Sequence, residues 1–162
     1  MTSEGSFTVE SSLFRDGETI PTSAAHTYAG GDNVSPDLQW GPVPAGTKSI
    51  AVTCYDPDAP TTVGFVHWVL FNIAPDTDHL DAGAGEAGKN PPGSTLGFID
   101  WGESQWGGMA PPPGDEPHHY EFTVWALDTA LDLDETTTYA KFNFMTRGHV
   151  LARGKLTGRF GL

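Results

Sequence analysis

Apolar positions along the 162-residue chain fall into short runs rather than long helical stripes. Five runs rich in Val, Ile, Phe, Trp and Thr have strand character: Phe7–Phe14, Ser49–Tyr55, Phe65–Ile73, His119–Leu127 and Arg153–Phe160. Two of these stretches, F-V-H-W-V-L-F-N-I over 65–73 and Y-E-F-T-V-W-A-L over 120–127, are apolar at both odd and even positions. A strand with one wet face alternates, so these two are expected to be central strands covered on both faces. A helical rhythm is present near the carboxyl end, where Tyr139, Phe142, Met145 and His149 recur at spacings of three, three and four. It predicts a helix capped from the Thr136–Thr138 cluster and weakened at Gly148 by about 1 kcal/mol relative to Ala. The pattern as a whole predicts a β-rich domain of two packed antiparallel sheets with one carboxyl-terminal helix.

Composition sharpens this picture. The length suits a single domain over 1–162. Twenty glycines and thirteen prolines make about a fifth of the chain, which argues against a helical bundle and for many turns. Much of that Gly and Pro lies in two stretches, 81–93 and 107–117, expected to be long loops of the kind that are mobile or build a site. The formal charge of −13 removes any general reason to bind nucleic acid or an anionic membrane surface, because both require a clustered Lys/Arg face. Cys54 is the single cysteine, so no intramolecular disulfide can form, and a reduced, cytoplasmic setting is the expectation. The amino terminus carries no basic flank or apolar run of signal length, and no stretch approaches the roughly 20 apolar residues of a membrane span. A soluble, unprocessed chain is therefore expected. Asn33-Val34-Ser35 fits a glycosylation sequon but is followed by Pro36, and it reads as a chance match.

Candidate chemistry concentrates in a few places. Tyr55-Asp56-Pro57-Asp58-Ala59-Pro60 ends one strand with two carboxylates held by prolines that restrict the backbone. One reading is an Asx-type turn with the carboxylates accepting backbone N–H groups; the other is a pair that shapes a site. His67 lies inside an apolar strand, where a lone histidine is usually a satisfied core residue. His118 and His119 open the other apolar strand directly after the Pro111-Pro112-Pro113-Gly114 loop, and strand alternation sends one inward and one outward. Two inward imidazoles with Asp56 make a polar cluster suited to an oxyanion, with imidazole N–H groups and the backbone N–H groups of Gly107 and Gly108 as donors. His67, His118 and Asp56 would also supply three metal ligands by residue type, but their spacing is not diagnostic and no metal is expected. Asp128–Glu135 lacks the central Gly of a calcium loop and reads as an acidic turn. No G-x-S-x-G elbow, phosphate-binding G-x-x-x-x-G-K-[ST] loop or H-E-x-x-H helix is present, and a hydrolase or isomerase built on a His–Asp pair lacks a nucleophile.

The motifs Y-D-P-D-A-P, H-W-V-L-F-N-I and G-G-M-A-P-P-P-G-D-E-P-H-H-Y-E-F-T-V-W-A-L-D together resemble the two signature regions of the phosphatidylethanolamine-binding protein family, in its prokaryotic Raf-kinase-inhibitor-like branch. Asp32–Trp40 resembles the family's D-x-x-x-S-P-x-L-x-W stretch and Gly148–Ala152 its G-H-V-L-A segment, so the resemblance spans nearly the whole chain. It implies a large central antiparallel sheet packed on a smaller one, with peripheral helices, and a small cavity for phosphate-type head groups. By motif position it assigns the cavity to Asp56, Asp58, His67, Gly107, Gly108, Pro111, Pro112, His118 and Tyr120. It implies a non-enzymatic binder of a small anion or phosphate-type head group, without a cofactor. The alternative is an interaction module that inhibits a kinase or protease, and a homodimer is a further expectation, because prokaryotic relatives are often dimers. The family pattern commonly has G-Y-x-G-P before its Pro-Pro, whereas this chain reads Gln105-Trp106-Gly107-Gly108-Met109-Ala110. Trp106, Met109 and Ala110 are therefore expected to give a greasier rim and a less rigid loop. Ile99-Asp100-Trp101-Gly102 likewise stands where many relatives have N-D-F-G.

Overall fold

A computed structural model describes residues 4–162. Six strands form a large sheet in the order β1 (Gly5–Ser6), β9 (Val150–Phe160), β8 (His118–Leu127), β4 (Ser49–Asp56), β5 (Phe65–Ile73) and β7 (Thr95–Leu96). A smaller sheet has the order β2 (Val9–Glu10), β3 (Leu38–Trp40) and β6 (His79–Leu80). Neighbouring strands are antiparallel except β1, which runs parallel to β9 and makes the large sheet mixed.

The doubly apolar runs are explained by two cores, one on each face of the large sheet. Ile50, Val52 and Cys54 of β4, with Phe122 and Val124 of β8, pack in one cluster with Val9, Leu38, Trp40 and Leu80 of the smaller sheet. Ala51, Trp125 and Leu127 belong to a second cluster with Phe71, Leu131 and Phe142, the last from helix α1 (Tyr139–Met145). Burying a large apolar side chain contributes about 1.5–3 kcal/mol, so a strand serving both cores gains at nearly every position.

The β4–β5 pairing is irregular in two places. Ile50 pairs with Ile73 but Val52 with Leu70, so β5 carries an extra residue there; Asn72 takes a positive φ of 59° and exchanges hydrogen bonds with both backbone groups of Leu131. Further along, Cys54 pairs with Trp68 and Tyr55 with Val66, which leaves His67 as the extra residue of a β-bulge. A bulge re-aims the side chain it inserts.

The first expected strand is mostly absent: of Phe7–Phe14, only Val9–Glu10 is a strand. Beyond Glu10 the Asp37 carboxylate accepts hydrogen bonds from Ser11 Oγ, Ser12 N and Ser12 Oγ, which draws the chain off the ladder. Phe14 is nonetheless buried against Phe122, with ring centroids 5.8 Å apart. The helix begins as expected, with the Thr138 hydroxyl accepting from Lys141 N at 3.2 Å, but it stops at Met145. Gly148, at φ 78°, has left-handed backbone that ends a helix, so His149 lies outside it and contacts Asp128 at 2.8 Å. Phe142 is the buried residue of the helix, and Met145 is exposed.

Candidate functional site

Three adjacent strands, β8, β4 and β5, end at the same edge of the large sheet, and each delivers polar side chains there. Tyr55 of β4 pairs with Glu121 of β8, which places Asp56 beside Tyr120, with His118 two residues further along; the bulge in β5 adds His67. These four side chains lie at a cleft of about 390 Å³. Its remaining lining comes from Ala59, Pro60 and Thr61 after β4, from Phe65, from Asp100 and Trp101, and from Ala110, Pro111 and Pro112. The volume and the mixture of an apolar mouth with a few convergent polar groups are those of a small-molecule site.

The hydrogen bonds fix most of the polar floor. Asp56 is buried; its Oδ1 accepts from Asp58 N at 2.8 Å and its Oδ2 from His118 Nδ1 at 2.8 Å. The other His118 nitrogen, Nε2, donates to Asp115 Oδ2 at 3.0 Å. Both ring nitrogens therefore face carboxylates, a setting that favours imidazolium. Burial opposes that charge, but the hydrogen bonds to Asp56 and Asp115 prevail and hold the His118 pKa above its ordinary value. Burial also raises the Asp56 pKa, with the His118 contact pulling against it.

His67 is the reverse case. Its Nδ1 donates to the Gly107 carbonyl at 2.6 Å, so the neutral ring carries its lone pair on Nε2. Complete burial lowers its pKa to about 4 against the pull of the Gly107 and Gly108 carbonyls, with His26 and His118 adding repulsion. Burial, with Asp56 as the first charge against it, keeps the Tyr120 phenol protonated.

The predicted residues sort into three groups. Asp56, His67, Pro111, Pro112, His118 and Tyr120 line the cleft. Asp58 does not: its Oδ2 accepts from both His119 N and His119 Nδ1 at 2.7 Å, which ties the turn to the start of β8 while His119 faces outward. The Y-D-P-D turn is thus an Asx-type turn and also the source of a cleft carboxylate. Gly107 and Gly108 act behind the wall. Their N–H groups are already bonded, to the His67 carbonyl at 3.1 Å and to Asn33 Oδ1 at 2.7 Å, and are not the free donors expected of them. Their carbonyls hold His67 Nδ1 and Trp101 Nε1. The imidazole N–H groups are likewise committed to protein partners rather than left for a ligand.

Trp106 and Met109 do not form a greasier rim either. Both are core residues, Trp106 stacking on Phe122 at 5.8 Å, and Ala110 is the member of that segment that reaches the cleft. The aromatic surface of the mouth comes instead from Phe65 and Trp101, the latter stacked on His26 at 3.9 Å. Sequence reasoning alone does not point to Asp100, Trp101, Asp115 or Asn33 as site residues. Asn33 sits at φ 57° and docks the Gly108 loop, which gives the sequon-like segment a structural role. Among the described residues, no group of three or more His, Cys, Asp or Glu side chains is arranged to hold a metal ion, and no helix is long and apolar enough to cross a membrane.

A mixed sheet backed by a smaller one, with a polar-floored cleft at the ends of three central strands, defines a two-sheet β protein. Residues 10–161 match the family model for phosphatidylethanolamine-binding protein, and the chain belongs to that family. It is 42% identical over 158 residues to the UPF0098 protein YbcL of Escherichia coli, covering 93% of this chain and 85% of that one. With the UPF0098 protein YbhB of the same organism it shares 45% over 152 residues, 90% and 94% of the two chains. The crystal structure of E. coli YbcL, described as a new member of the mammalian PEBP family, superposes with a TM-score of 0.92 at 40% identity over 96% of this chain and 98% of that one.

Proposed function

We propose that the protein is a non-enzymatic receptor for a small anion of the phosphate type, bound in the cleft at the ends of β4, β5 and β8. The observation that carries the reading is the convergence of Asp56, His67, His118 and Tyr120 at one end of a cleft whose other walls are largely apolar. A polar floor suits the acid group, and Phe65, Trp101, Pro60, Pro111 and Pro112 suit whatever organic part the acid carries. His118 supplies positive charge, and Tyr120 supplies a protonated hydroxyl. The family name, which refers to a phospholipid head group, supports the same ligand class. No side chain in the cleft is a nucleophile poised beside a base, so binding without turnover is the economical role.

Isothermal titration calorimetry with phosphate, acetate and phosphoethanolamine, on the natural protein and on His118→Ala, tests the proposal. Binding heats for the natural protein that weaken at least tenfold in the variant are expected. Negligible heats for both would sink the reading.

A further inference from the structure

A second hollow, of about 580 Å³, shares no residue with the cleft and lies between the outer edge of β9 and the amino-terminal segment. Its floor is apolar, built from Phe7, Val9, Phe14 and Leu156 of the core. The edge of β9 beside it is closed in two places. At one end Phe7 N donates to the Arg153 carbonyl, next to the β1 pairing. At the other, Thr157 N donates to Asp16 Oδ1 at 2.8 Å, the Thr157 carbonyl accepts from Gly17 N at 2.7 Å, and Arg159 bonds Glu18 and Ile20. Alternate residues of a strand turn their backbone groups to the same side, so the Lys155 N–H and C=O also face outward. Between the two closures neither group has a partner among the described residues, and Lys155 lines the hollow.

Unpaired N–H and C=O groups on a sheet edge are a template for an added chain. The closures limit its length. From Arg153 to Thr157 is a step of four residues, or roughly 13 Å at 3.3 Å per residue, which holds about three residues of extended chain. Two side chains of opposite charge line the same hollow: Arg15 and Glu10 make no side-chain hydrogen bond or ion pair among the described residues. Asp16 is already bonded to Thr157 N, and Lys155 Nζ lies 3.5 Å from Glu121.

We propose that this hollow binds a tripeptide with free ends, laid along β9 as one more stretch of strand. In either direction, three residues present one C=O to the Lys155 N–H and one N–H to the Lys155 carbonyl. The carboxylate and ammonium ends then remain for Arg15 and Glu10. A dipeptide makes both backbone bonds only by giving up a charged end to Lys155. The middle side chain stands beside that of Lys155, and the outer two fall on the side of Leu156, over the apolar floor. The favoured ligand is therefore apolar at its first and third positions. The assignment is independent of the anion-binding reading of the cleft.

Valyl-alanyl-valine is the probe. Calorimetry should show binding that weakens at least tenfold for the same peptide acetylated and amidated, and for valyl-valine. Arg15→Gln and Glu10→Gln, both at exposed positions, should each weaken it by a similar factor. In ¹H–¹⁵N spectra of the natural protein, the peptide should shift the Lys155 amide resonance and slow its hydrogen exchange at least tenfold. No heat at millimolar peptide, an unmoved Lys155 amide, or affinities unchanged by blocking the ends, by shortening or by the two substitutions would each overturn the assignment. So would tighter binding of a blocked five-residue peptide with the same centre, which would make the edge a docking strand for a protein.

Discussion

Burying His67 as a neutral ring has a cost that pH should expose. In the unfolded chain its imidazole protonates at its ordinary pKa of 6.5; in the folded protein it resists protonation until about pH 4. Between those values the unfolded state holds a proton that the folded state does not, so stability falls as pH falls through this window and the loss is complete near pH 4. A shift of this size is worth about 3 kcal/mol, at 1.36 kcal/mol per pKa unit. Many carboxylates also titrate toward acid, so the quantity to measure is a difference from a variant lacking the imidazole. His67→Asn places an amide N–H at the position of Nδ1–H, which bonds the Gly107 carbonyl, and does not titrate. Its cost at pH 7 is a constant that drops out of the comparison. Urea unfolding at pH 7, 6, 5 and 4 should show the stability advantage of the natural protein over the variant shrinking by about 3 kcal/mol, most of it between pH 6.5 and 4. An advantage that stays constant across the series would refute the assignment of a buried, neutral His67.

Three further positions probe the supports of the site and fold. In Gly108→Ala the added Cβ would lie 2.1 Å from the Ala24 carbonyl oxygen and 2.6 Å from His26 N, both backbone atoms, so urea denaturation should show a loss of about 3 kcal/mol or more. Trp106→Ala removes a fully buried indole stacked on Phe122 and edge-on to Trp68, and the same assay should read a loss of about 3–5 kcal/mol. The indole nitrogens of Trp68 and Trp106 are buried without hydrogen-bond partners, so Trp106→Phe should cost well under half of that. Thr138→Ala removes the cap from a seven-residue helix and should lower stability by about 1 kcal/mol, seen as a lower Tm by circular dichroism.

The large sheet is legible in the sequence because its central strands are apolar on both parities, a pattern that only double burial explains, and 65–73 is a strand at the expected bounds. The run from Phe7 misleads because apolar character does not require pairing. Phe7 and Phe14 pack on the core, yet the backbone between them stays in the ladder only to Glu10, and Ser12 N turns instead to the Asp37 carboxylate. In the site, Asp56, His67 and His118 are legible as polar residues at the ends or interior of apolar strands. What cannot be read is a matter of register and direction. Nothing in F-V-H-W announces that His67 is the extra residue of a bulge, because that depends on how Cys54 and Tyr55 pair. The glycines at 107 and 108 indicate close approach, but whether their N–H or C=O groups face the cleft depends on Asn33, distant in sequence. Trp101 and Trp106 are alike by type; that the first lines the mouth and the second fills the core is decided by three-dimensional packing alone.

The acidity of the chain takes on a local meaning at the cleft. The formal charge of −13 counts each histidine as neutral, and carboxylates on the far surface are screened from the cleft beyond roughly 8–10 Å. Asp56, Asp100 and Asp115 are not: two line the cleft and the third holds His118 from the far side. Against them stands the imidazolium form of His118, flanked by carboxylates that both stabilise its charge and cancel it. A positive cluster would attract any anion and favour the most highly charged. The arrangement here is no such cluster, because the one cation is flanked by two carboxylates and the second histidine is held neutral by burial.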